Sequence, residues 1–204
     1  MHQLTNTEID RLLFLHSVSG SDTTSAPYQQ GKVKLFKMLS ASSEYLNNIF
    51  GTILSEGIVE KDELERAGLL LFQCMYKEKY YTEPLPDLRV KKFFRLLKHS
   101  TLRPELLPPT EEAASQHILR SYLQFVDWRE LVSMYLQPEE YGWVKVGEEY
   151  QPIGTTIPIA PDELLKIAAC NCSSGRCRSR CTCKSQGIDC IDCCGCAGNC
   201  SHEQ

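Results

Sequence analysis

Cys170-x-Cys172-x4-Cys177-x3-Cys181-x-Cys183-x6-Cys190-x3-Cys194-x-Cys196-x3-Cys200 is the stretch whose reading divides the chain. Ten of the eleven cysteines lie between Cys170 and Cys200; Cys193 is an extra thiol beside Cys194, and Cys74 stands alone far upstream. The apolar content of this segment is nearly all sulfur, with Ile188 and Ile191 the main additions. Burial of hydrocarbon cannot fold it, so metal ions or disulfides must.

The spacing favours metal. Three C-x-C pairs (Cys170/Cys172, Cys181/Cys183, Cys194/Cys196) are each followed by a lone cysteine (Cys177, Cys190, Cys200). Zinc takes four thiolates in a tetrahedron, so about three ions are satisfied by nine sulfurs if three of them bridge. Cys193 is then in reserve as an alternate. The other reading pairs ten cysteines as five disulfides, which needs an oxidising compartment. Met1 to Arg11 is polar, contains Glu8 and Asp10, and does not read as a signal peptide.

The run Cys170-Asn-Cys172-Ser-Ser-Gly-Arg176-Cys177-Arg178-Ser-Arg180-Cys181-Thr-Cys183-Lys184-Ser-Gln-Gly-Ile-Asp-Cys190 resembles a tesmin-type CXC domain, the cysteine-rich repeat of some DNA-binding regulators. It is also similar to the pre-SET three-zinc clusters of chromatin methyltransferases. The resemblance implies zinc, a nuclear (or cytoplasmic) location, and DNA or chromatin as partner, contacted through Arg176, Arg178, Arg180 and Lys184. The charge balance tempers that implication. Those four cations face Asp189, Asp192 and Glu203, and nine thiolates outweigh three divalent ions, so the loaded segment is formally near −2.

Upstream, the 204 residues leave room for one ordinary domain plus this appendage. A hydrophobic content of 42% is that of a globular chain, and a net charge of −4 argues against a generally basic nucleic-acid coat. The longest apolar run, Ala67 to Met75, is too short to span a bilayer. The expected class is mostly α: a helical region over 1–137, a β-hairpin and linker over 138–161, and the zinc-cluster tail over 162–204.

In order, the pattern predicts a first helix capped by Thr7 with Ile9, Leu12, Leu13 and His16 on one face, and re-entry into helix after Gly31. A helix over 42–57 and another over 60–80 follow, with Leu64, Ala67, Leu71, Cys74 and Met75 as the apolar stripe of the second. Pro84 and Pro86 are read as breaks before a basic helix, Asp87 to His99, with Val90, Phe93, Phe94 and Leu97 inward. Thr110 starts the strongest helix, on which His117 is expected as a polar partner rather than a ligand. A hairpin is expected around Gly147-Glu148, and a short helix from Asp162 to Ala169 delivers the chain to Cys170.

Two further resemblances bear on the upstream part. Gly20-Ser21-Asp22 and the helix–turn–helix over 12–39 are similar to the Gly-x-Asp block and helix-hairpin-helix of flap-endonuclease-like nucleases, including the Asteroid-like branch. That likeness makes Asp22 a remnant metal ligand and Gly31, Lys32 and Lys34 a phosphate contact. The family hairpin has Gly-x-Gly, and Gln29 stands at the first of those positions. The family's carboxylate-rich α/β core has no counterpart in the 21 residues before Asp22, so no catalytic activity is expected. The block around Pro108-Pro109, Gln116-His117 and Tyr122, with Tyr141-Gly142-Trp143, resembles uncharacterised animal proteins of mobile-element type. The function implied is DNA or chromatin binding through a CXC tail. The alternatives are the C-terminal fragment of a flap-nuclease-like enzyme, inactive alone, and a protein-interaction scaffold with structural zinc. Oligomeric state is not legible in the sequence.

Overall fold

A computed structural model describes residues 5–40, 43–76, 83–99, 106–129 and 136–156, and in the tail 170–173, 177, 181–185, 190, 194–197 and 200. The protein is mostly helical, with one two-stranded antiparallel hairpin and a cysteine-rich C-terminal cluster. The helices are α1 (Asn6–Val18), α2 (Lys32–Ser40), α3 (Glu44–Ile53), α4 (Lys61–Tyr76), α5 (Leu85–His99), α6 (Glu111–Trp128) and α7 (Thr182–Ser185). The strands are β1 (Trp143–Val146) and β2 (Glu149–Pro152). The chain forms two units, one of Met1–Pro86 with Pro108–Ile157, the other of Asp87–Leu107 with Pro158–Gln204.

Helix α6 organises the first unit. Thr110 caps it by accepting the Ala113 amide at 3.2 Å, and Ala114, Ile118, Leu119, Tyr122, Phe125 and Val126 are buried along it. Helices α1 and α4 both pack on α6, α3 packs on α4, and α2 on α1. Edge-to-face contacts of Phe14 with Phe50 and Phe125, at 6.4 and 5.9 Å, sit at the centre. Burying each such ring contributes about 2–3 kcal/mol. Polar ties thread the same interface: Ser17 Oγ donates to the Ser121 carbonyl at 2.6 Å, and Tyr122 Oη accepts the Val59 amide at 3.0 Å.

The structure corrects five sequence expectations. Helix α1 is capped by Thr5, not Thr7, because Thr5 and Glu8 close a reciprocal capping box. Its buried face is Phe14, Leu15, Ser17 and Val18, while Ile9 and His16 are exposed: α6 selects the larger ring and its neighbours. Pro86 does not break α5 but lies in its first turn, where no backbone donor is missed; among the α5 side chains described, Leu85, Leu88 and Phe93 are buried and Val90 and Phe94 lie outward, while the Leu97 side chain lies outside the described residues. Helix α3 ends at Ile53, short of the expected 57; residues 77–80, into which α4 is expected to continue, and the helix expected over 162–169 lie outside the described residues.

The hairpin forms where expected, with Val146 opposite Glu149 and Gly147 at φ +63 in the turn. It is held to α6 by stacking of Tyr141 on Tyr122, 6.2 Å between centroids, and by Arg120, which donates to the Gly142 carbonyl at 3.0 Å. Gly142 has φ +83, and a Cβ there would lie 2.8 Å from the Gln116 carbonyl, so the approach of hairpin to helix requires glycine.

Candidate metal centre

Nine cysteine side chains gather into one sulfur-lined cluster, with Cys170, Cys181, Cys183, Cys190, Cys194, Cys196 and Cys200 buried and Cys172 and Cys177 partly so. Local structure presents them. The single turn of α7 turns Cys183 inward, and the Lys184 amide donates to Cys181 Sγ at 3.5 Å. A turn at Cys194 is closed by the Ala197 amide on the Cys194 carbonyl at 2.8 Å. The Gly195 amide donates to the Cys170 carbonyl at 2.7 Å, which clamps the first cysteine of the run to the turn at Cys194. A Cβ on Gly195 would lie 2.8 Å from the Cys172 carbonyl, so no larger residue fits that clamp.

The sulfurs fall into three groups whose members lie within 4.8 Å of one another: Cys170, Cys177, Cys181 and Cys190; Cys170, Cys183, Cys190 and Cys194; and Cys177, Cys196 and Cys200. The shorter separations include 3.7 Å for Cys170–Cys190, 3.9 Å for Cys170–Cys177, 3.5 Å for Cys177–Cys190 and 3.6 Å for Cys183–Cys194. A disulfide requires about 2.05 Å. Thiolates about 2.3 Å from a common tetrahedral ion lie about 3.8 Å apart, the length of the tetrahedron's edge. No disulfide joins the described cysteines; the clustered sulfurs are spaced as ligands rather than as bridged pairs, and the clusters could hold metal ions.

Of the nine predicted ligands, eight belong to these groups; the ninth, Cys172, hydrogen-bonds with Cys170, Cys177 and Cys181. Spacing disclosed the set. It did not disclose which sulfurs are shared, namely Cys170, Cys190 and Cys177, because sharing depends on how the loops fold over one another. Nor did it single out Gly195, whose only local sign is a small residue between two ligands.

The electrostatics fit a site that needs a cation. Burial pushes the Cys170 thiol up, and takes Cys183 up to about 12 with help from a hydrogen bond to Cys194. At Cys181 burial also pushes upward, but the Lys184 amide and neighbouring thiols outweigh it and bring it down to about 6. So many sulfurs in contact cannot all ionise on their own, and a divalent ion removes that conflict.

The remaining predicted residues are placed as follows. Lys184 is exposed on α7; Arg176, Arg178, Arg180 and Cys193 lie outside the described residues. Gly31, Lys32 and Lys34 are exposed at the start of α2. Gln29, where the resembled hairpin carries glycine, adopts φ +59, so the turn keeps its left-handed backbone without that residue. Asp22 is exposed in a bend and joins none of the metal-ligand groups among the described residues. His117 is buried, with Nε2 2.8 Å from the Val18 carbonyl, as a polar partner within the helical core. Among the described residues no helix is long and apolar enough to cross a membrane. Comparison with family models, curated proteins and solved structures returns no match.

Proposed function

We propose that the tail is a closed zinc–thiolate cluster of about three ions held by Cys170, Cys172, Cys177, Cys181, Cys183, Cys190, Cys194, Cys196 and Cys200. The observation that carries this reading is the spacing of the closer sulfurs, 3.5 Å to 3.9 Å, which is near a tetrahedral edge and longer than a disulfide bond. An all-thiolate donor set suits zinc, which is soft enough for sulfur and inert to redox exchange. Three sulfurs shared between groups supply the bridging that nine ligands need for three ions. Native mass spectrometry with and without chelator tests it. The expected result is three zinc ions per chain and every thiol free after unfolding. A metal-free species ten hydrogens lighter would mean five disulfides instead.

Such a cluster folds the tail and leaves no open position for substrate water, so the reading assigns it no catalysis. Its function is to present a surface. The exposed Lys184 beside ligand Cys183, and the arginines Arg176, Arg178 and Arg180 between ligands, favour contact with the phosphates of DNA or chromatin. Exposed Lys32 and Lys34 at the start of α2 supply a second phosphate contact. Anisotropy titration of a labelled duplex over a range of salt is the test. Arg178→Ala with Arg180→Ala should weaken binding about tenfold or more and flatten the salt dependence. No binding by the parent protein would leave the tail as a structural zinc module.

A further inference from the structure

Among the described residues, Arg120 is a half-buried cation with no carboxylate partner. One of its five N–H donors is used, Nη1 to the Gly142 carbonyl at 3.0 Å, and the guanidinium lies over the Trp143 ring at 5.9 Å from the centroid. Among the described residues it makes no ion pair. A desolvated guanidinium is costly unless an anion meets it, and its planar fork suits a carboxylate or phosphate. Burial lowers its pKa from the usual value, the sign of incomplete compensation.

Arg120 also lines a cavity of about 400 Å³ between α6 and the hairpin. Leu123, Leu136, Pro138, Trp143 and Tyr150 supply most of its apolar lining, and it is open to solvent on one side. Gln124 and Asp127 share the α6 face with Arg120 at four and seven residues' spacing, so the helix grades from cation to anion over two turns. The volume is within the range of small-molecule sites, and an apolar chamber with a few convergent polar groups is their usual composition.

We propose that this cavity binds a small planar, apolar ligand bearing one anionic group, with the ring on the Trp143 side and the carboxylate or phosphate on Arg120. The site is separate from the cysteine cluster and independent of the function proposed for it. The anion sits at the Arg120 end, away from Asp127, so the two residues act on it with opposite sign.

The chain has two tryptophans, so its indole N–H signals in a ¹⁵N correlation spectrum are two, and Trp128→Phe assigns them. The full chain is titrated with 3-phenylpropionate, its neutral amide, and adenosine 5′-monophosphate. The expected result is a saturable shift of the Trp143 signal by the carboxylate at millimolar concentration, with the amide at least fivefold weaker. Arg120→Lys, which keeps the charge and loses the fork, should weaken binding about fivefold or more. Asp127→Asn, which leaves the hairpin contacts of Arg120 in place, should tighten it about twofold or more. A tighter response to the nucleotide than to phenylpropionate supports the site with phosphate as its anion. No saturable shift from any probe, equal binding of acid and amide, or weaker binding by Asp127→Asn overturns the proposal.

Discussion

His117 is enclosed by three elements: Nε2–H donates to the Val18 carbonyl at 2.8 Å, Nδ1 lies 3.4 Å from Ser25 Oγ, and Phe72 meets the ring edge-on at 5.6 Å. Burial lowers its pKa to about 4; the Val18 bond opposes this, and the Arg120 charge adds to it. The unfolded imidazole titrates near 6.5, so below that pH the unfolded state takes up a proton that the folded state refuses. Stability from this group is therefore full above about pH 6.5 and is lost as pH falls toward 4, by up to about 3 kcal/mol. Urea unfolding followed by tryptophan fluorescence at pH 7 and pH 4.5 should show it, and His117→Gln should flatten the dependence between those pH values. Gly195 makes a sharper prediction. Its missing Cβ leaves room for the Cys172 carbonyl, so Gly195→Ala should lower zinc affinity at least tenfold in chelator competition while the α-helical circular dichroism stays unchanged. An unaffected affinity would show that the clamp yields.

Elements were legible wherever local chemistry decided them. Helix α6 reads directly from the Thr110 cap and an apolar face recurring from Ala114 to Phe125. Helix α1 does not, because Ile9, Leu12 and Leu13 offer a face as apolar as Phe14, Leu15 and Val18, and only packing against α6 decides between them. The same holds for α5, whose Val90 and Phe94 were expected inward and lie outward. The grouping of the cysteines as candidate ligands was legible because thiols at those intervals have few other uses. The Arg120 cavity was not, since it arises from a hairpin returning onto a helix some twenty residues earlier in the chain. One tie between elements is open to test. Tyr122 on α6 accepts the buried Val59 amide ahead of α4, so Tyr122→Phe leaves a donor unsatisfied and should cost about 2 kcal/mol in urea unfolding. A cost below about 0.5 kcal/mol would mean that the amide finds another acceptor.

At the scale of the whole molecule, two units stand on different physics. The first is a hydrocarbon core built from α1, α3, α4 and α6; the sulfur-lined tail belongs to the second. Chelation should therefore dismantle the tail and leave the tryptophan-reported helical core intact; simultaneous loss of both would contradict that separation. Acid should act in the same direction as chelator. Each ligand must lose a proton to bind, so zinc affinity should fall as pH is lowered from 8 to 5, with proton release on loading measurable in weakly buffered solution. A pH-independent affinity would argue against thiolate ligation.

The sulfurs shared among the groups also set a schedule for synthesis. Cys170 and Cys190 serve two groups and Cys177 serves two, and one of those closes only with Cys200. A growing chain on the ribosome therefore exposes several unpaired thiols before it can complete any arrangement that satisfies them all. Helical elements through α6 emerge well before that point. The first cysteines of the run are made earliest and wait longest, so translation under metal shortage or oxidative stress should trap Cys170, Cys172 and Cys177 in mixed disulfides before it harms Cys196 or Cys200.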